Sequence, residues 1–182
     1  PEVVRASLVT EGFFETFGIK PQAGRFFLPE EHVRGGQRAA VLSARFWRSH
    51  FNADPGIVGK TIPLDDGQFL VTGILPDDFL PHFQEDVPGQ TGLYVAKVIQ
   101  DFESRIRTGG YWSVTGRLKD GVSIEQARAE MDAISLQIEK ENLRTNKGVR
   151  AEVTTLREHL VGDIRPAVTL FGGAVIAVLL IA

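Results

Sequence analysis

Three groupings in the 182-residue sequence have residue types that could do chemistry. The first is Asp54-Pro55-Gly56-Ile57-Val58-Gly59-Lys60-Thr61, which ends in Gly-Lys-Thr. A phosphate-binding loop needs a glycine, four residues, then Gly-Lys-Ser/Thr, so that backbone amides wrap the phosphate and a helix follows. Here the first glycine position is Asp54, whose carboxylate repels phosphate, and Ile62-Pro63-Leu64 reads as a strand. The second grouping is the histidines, His32, His50, His82 and His159, of which Glu30-Glu31-His32 and His82 with Glu85-Asp86 come nearest to a metal set. None has the helical His-x-x-x-His spacing or a Cys/His cluster that zinc uses, and solvated loops produce such groupings often. The third is the serines Ser43 and Ser113, which lack the Gly-x-Ser-x-Gly setting of a nucleophile elbow. Asp65-Asp66 and Asp77-Asp78 are turn residues before they are an acid–base pair, because Asp bonds its own backbone there. No catalytic, cofactor-binding or metal-ligating residue is therefore assigned.

The elements around these groups read as a mixed fold. Val3-Val4-Arg5-Ala6-Ser7-Leu8-Val9 is strand-like, and Thr10 is placed to cap a short helix over residues 11–17, ended by Gly18. Ala39-Ala40-Val41-Leu42 is a fully apolar strand of the kind buried on both faces, and Ser43 caps a helix over residues 44–51. Residues 61–64 and 68–75 flank Asp65-Asp66-Gly67, a hairpin signal. Residues 77–110, rich in Pro and Gly, are expected as a long surface excursion with one short strand at Leu93-Tyr94-Val95. A strand is predicted over residues 111–118, with Trp112, Val114 and Leu118 on one face. Ser123 and Gln126 form a capping box for a helix whose apolar stripe is Ile124, Ala127, Met131, Ile134 and Ile138, with Leu136 off it. Val149, Ala151 and Val153 alternate with polar residues as a half-buried strand, which closes a β-α-β unit.

The bulk numbers narrow the class. A formal net charge of −3 gives no electrostatic footprint for nucleic acid, and none is expected as a partner. With no cysteine there is neither a disulfide framework nor thiolate chemistry. After Arg165 the run Pro166 to Ala182 carries one polar side chain, Thr169, and a spanning helix needs about 20 such residues. Pro166 suits a first helical turn, and Gly172-Gly173 permits close helix packing in lipid. A truncated transmembrane helix is expected over residues 166–182. The chain, which opens on Pro1 in a strand-like run and stops inside its most apolar stretch, is expected to be a piece of a longer membrane protein.

The order of motifs also resembles a known family. Phe13-Phe14 through Gly18-Ile19 to Gly24-Arg25-Phe26-Phe27 is similar to a segment of the MacB-like periplasmic core domain of FtsX-type ABC transporter permeases. Ala40-Val41-Leu42-Ser43 with Phe46-Trp47, then Asp54-Pro55 to Ile62, then Leu64 to Pro76 and Phe79, continue in that family's order. Gly116-Arg117-Leu118-Lys119-Asp120-Gly121 to Ala127 looks like its strand-turn-helix, with Asp120 where a proline is usual. The likeness is greatest to duplicated orphan permeases of acidobacteria.

The resemblance implies an α+β fold with a β-α-β lobe near the membrane (residues 1–23 and 111–165) and an inserted β-rich lobe (residues 24–110). Residues 1–165 would lie on the periplasmic side of a bacterial inner membrane. It implies a non-catalytic domain that passes motion from a cytoplasmic ABC ATPase to periplasmic partners or substrates, in efflux, export or lipoprotein-related work. ATP would bind a separate or fused ATPase and no cofactor would bind this segment. Partners would be the membrane, that ATPase, a periplasmic protein and a second permease in a dimer. The alternative is a membrane-anchored sensor or adaptor that binds a ligand or protein without transport. A membrane-anchored hydrolase would need a catalytic group that the sequence does not display.

Overall fold

The computed structural model describes residues 3–65, 67–79, 91–106 and 113–161. Its centre is a strand with no room for solvent. In β3 (Ala39–Leu42) all four residues are buried. Successive side chains of a strand point to opposite faces, so Ala40 and Leu42 enter one core while Val41 enters the other. A strand can be apolar throughout only when both faces are covered. One cover is α2 (Ala44–Phe51), which starts where Ser43 Oγ accepts the Phe46 amide at 3.2 Å and packs Phe46 against the sheet. The other is α1 (Phe13–Phe17), which inserts Phe14.

Around β3 lies a six-stranded mixed sheet in the order β1-β6-β3-β5-β2, with β4 also paired to β5. β1 (Ala6–Val9) runs parallel to β6 (Leu93–Ala96), β6 antiparallel to β3, and β3 parallel to β5 (Gly67–Ile74). The free edge of β5 carries β4 (Thr61–Leu64) along its first half and β2 (Ala23–Gly24) at its end. The α+β class read from the sequence is the class of the fold. The expected hairpin is present, but Gly67 opens β5 opposite Leu64 instead of lying in the turn.

Several local expectations are corrected. Thr10 does not cap α1; Gly12, at φ 77°, takes that position without a side-chain bond. The strand at residues 93–96 is no ornament of a surface excursion, because β6 is buried and sits between β1 and β3. Its partners lie far off in sequence, so local composition could not show its rank. Residues 113–119 form no strand, and Val114 is 90% exposed. Residues 149–155 likewise have no ladder partner among the described residues; Tyr111 and Trp112 lie outside them.

The chain divides into two compact units, Pro1–Arg117 and Leu118–Ala182. The lobes implied by the resemblance are cut differently, at residues 23/24 and 110/111. In the second unit α3 (Ile124–Glu141) begins with the expected Ser123–Gln126 box. Its inner face is centred on buried Ser135, flanked by Ala127, Met131 and Ile138, whereas Ile134 and Leu136 are exposed. A short helix, α4 (Leu143–Asn146), follows it. The extended segment 149–155 is held on α3 by side chains instead of strands. Ser135 Oγ accepts the Ala151 amide at 3.1 Å, and Arg128 Nε donates to the Val153 carbonyl at 2.8 Å. A last helix, α5 (Leu156–Val161), starts with a reciprocal Thr155–Glu158 cap that the sequence reading did not use.

No helix among the described residues is long and apolar enough to cross a membrane; the apolar run from Pro166 lies outside them.

Close backbone approach makes one glycine decisive. Gly24 has φ 73°, and a Cβ there would stand 2.2 Å from the Thr72 carbonyl oxygen. Gly24→Ala is expected to lower stability by about 2–4 kcal/mol through backbone strain and the displacement of β2 from β5. Urea denaturation of the domain measures the loss.

Candidate functional site

Phenylalanines govern the face of the sheet that carries α1. The five residues of this helix run between two left-handed glycines, Gly12 at φ 77° and Gly18 at φ 66°. Such short helices gain little from their own hydrogen bonds and depend on packing. Phe14 is buried and stacks on Phe26 with ring centroids 4.2 Å apart, and meets Tyr94 edge-on at 5.6 Å. Phe13, which also packs against this core, lies 5.3 Å from Phe17, and Phe79 meets Phe17 at 5.6 Å. Burial around Tyr94 pushes its phenol up to about 12, so it remains a neutral hydroxyl at any working pH.

Beside this helix the structure leaves a cavity of about 440 Å³. Thr10, Phe13, Thr16 and Phe17 form one wall; Ile99 and Glu103, after β6, and Ser113, Val114 and Thr115 form the others. The size is in the range of small-molecule pockets. Glu103 accepts Lys97 Nζ at 2.6 Å and the Gln100 amide at 2.7 Å, and these two bonds hold its carboxyl below the usual carboxylate range. The described lining offers rings, hydroxyls and the carboxylates of Glu11 and Glu103. A shallower hollow of about 300 Å³ on the opposite face is bordered by Arg5, Arg45, Ser49 and His50.

The groups weighed from the sequence are dispersed. Glu31 is turned away from His32 and toward Arg25, while His32 Nδ1 lies 3.2 Å from the Lys97 carbonyl. His50 stacks on Phe46 at 4.1 Å, and His159 is on exposed α5. Among the described residues no three His, Asp or Glu side chains gather as metal ligands; His82, Glu85 and Asp86 lie outside them. Of the Gly-Lys-Thr stretch, Gly59 and Lys60 spend their amides on the Val71 and Ile57 carbonyls, and Thr61 opens β4 where a phosphate site needs a helix. Ser43 is a helix cap; Ser113 lines the cavity.

The floor of the aromatic cluster rests on a half-buried ion pair that the sequence reading passed over. Arg25 donates two parallel bonds to Glu31, at 2.9 and 2.7 Å, and the Leu28 amide adds a third at 2.7 Å. This closes the turn that sets Phe26 and Phe27 under Phe14. The signal was available as Arg25 six residues before a carboxylate in a proline-started turn.

A family model, the MacB-like periplasmic core domain, matches residues 2–134. The chain belongs to the MacB-like periplasmic core domain family. Among the described residues, the matched stretch contains the sheet and the residues that line the cavity. Among solved structures, the chain is similar to the crystal structure of the periplasmic region of MacB from Actinobacillus actinomycetemcomitans, at 18% identity and a TM-score of 0.47. The alignment covers 78% of this chain and 58% of that one, so the MacB-like chain spans little more than half of that relative. No curated protein matches it.

Acid should expose the Arg25–Glu31 pair. Burial alone would raise the Glu31 carboxyl, but the Arg25 bonds and the Leu28 amide outweigh it and bring it below the ordinary 4.5. The pair's stabilisation is thus complete above that value and is lost as pH falls through the lowered one. The Glu31 side chain is 2% exposed but Arg25 is 43% exposed, which screens the pair. Glu31→Gln is expected to cost about 1–3 kcal/mol at pH 7, with the gap to wild type closing on acidification below 4.5. Paired urea titrations at neutral and acid pH read this; an equal gap at both would contradict it.

Proposed function

We infer that this chain is the extracytoplasmic domain of an ABC transporter permease and works without catalysis. It passes motion from a cytoplasmic ATPase to a periplasmic partner or substrate, in efflux, export or lipoprotein-related work. The observation that carries the reading is the family match over residues 2–134. In this reading residues 1–165 lie outside the inner membrane, residues 166–182 begin a membrane helix, and two permeases pair across the assembly. ATP acts on the ATPase, and this segment holds no nucleotide. The division into an inserted lobe at residues 24–110 and a membrane-proximal lobe at residues 1–23 and 111–165 belongs to the same proposal.

A membrane-anchored sensor is the second reading, favoured by the cavity itself, which could hold a ligand without any transport.

A distance measurement separates the two. Glu30 and Glu130 are exposed, one in each compact unit. Spin labels at E30C and E130C, in the otherwise cysteine-free full-length protein in nanodiscs, report their separation. Trapping the co-purified ATPase with ATP and vanadate is expected to shift the distance distribution. An unshifted distribution, or no ATPase that co-purifies, would leave the sensor reading in front.

A further inference from the structure

Segment Ser113–Leu118 is extended but unladdered. Among the described residues it makes a single hydrogen bond, from Arg117 Nε to the Thr16 carbonyl at 3.0 Å. That carbonyl belongs to the last turn of α1, where a helix leaves its final C=O groups without partners and a cation is favoured. The guanidinium also lies across Gly18, where a Cβ would come within 3.3 Å of Arg117 Nη2. Gly18 therefore serves twice, by taking the left-handed turn and by leaving room for the arginine. On one side of the cavity stand Thr16 and Phe17 of α1; on another stand Ser113, Val114 and Thr115. The second wall is tethered to the first through Arg117, and Val114 within it is 90% exposed.

We propose that Arg117 is a latch that holds the strap Ser113–Arg117 against α1 and so governs entry to the cavity. The next residue, Leu118, opens the second compact unit, so tension on the chain from that unit reaches the strap at its latched end. Release costs one charge-assisted hydrogen bond and leaves the sheet intact. The proposal stands on the cavity and the strap alone, whether or not an ATPase drives the protein.

Thiol accessibility tests it in the full-length protein, in nanodiscs and otherwise free of cysteine. The reporter is T16C, which lines the cavity and retains its carbonyl; the control is S7C, buried in β1. N-ethylmaleimide is the neutral probe. Arg117→Ala is expected to speed labelling of T16C by about tenfold, the scale of one lost charged hydrogen bond, without speeding S7C. Arg117→Lys, which keeps a cationic donor, should return T16C to within about threefold of its starting rate. An unchanged rate in Arg117→Ala, an equal rise at S7C, or a full rise in Arg117→Lys would overturn the latch.

Discussion

The sheet depends on β3 being sealed from both sides. Four small and medium apolar residues, Ala39 to Leu42, leave backbone hydrogen bonds as the only polar groups at the centre, and these are taken by β5 and β6. Covering one face requires a helix with an aromatic at the right turn, and α2 supplies Phe46. The other face receives Phe14 from a helix too short to stand alone, so α1 must be gripped by rings and by its glycine ends. The cavity follows from this arrangement. A five-residue helix does not extend far enough to cover the sheet beyond Phe17, and the space left over is bounded by whatever chain passes outside it.

Elements whose reasons are local were legible in the sequence. Ser43 before an amphipathic turn, Asp-Gly between apolar runs, and Ser123 three residues ahead of Gln126 each place a boundary by a bond made within a few residues. What escaped has distant causes. The rank of β6 is set by β1 and β3, both far back in the chain, and Thr10 lost its capping role because Gly12 could adopt the left-handed turn. Val149, Ala151 and Val153 do alternate, yet alternation reports one covered face and is silent about ladder partners. Here a serine and an arginine of α3 take the place of a strand.

The candidate site was less legible than the fold. Its walls come from three separated stretches, and its character lies in what is missing between them, which no spacing records. The phenylalanines were visible as core residues, and most of them are. Phe17 differs by lining the cavity from a helix whose inward position is held by Phe14, while Phe13 both lines the cavity and packs against the core. The groups with the strongest chemical look, Gly59-Lys60-Thr61 and Glu30-Glu31-His32, proved to be a strand entry and a turn closed by an ion pair.

The parallel pairing of β1 with β6 has a consequence for the order of folding. Ala6 registers with Leu93, so β1 must wait for a partner that lies far along the chain, beyond β3, β4 and β5. Pairings this distant carry a large loop-closure entropy and slow folding relative to local hairpins. The β4–β5 hairpin, by contrast, closes within one turn. The domain should therefore assemble from its middle outward, with β1 zipped on last, and until then the buried strand β6 has one hydrogen-bonding edge uncovered.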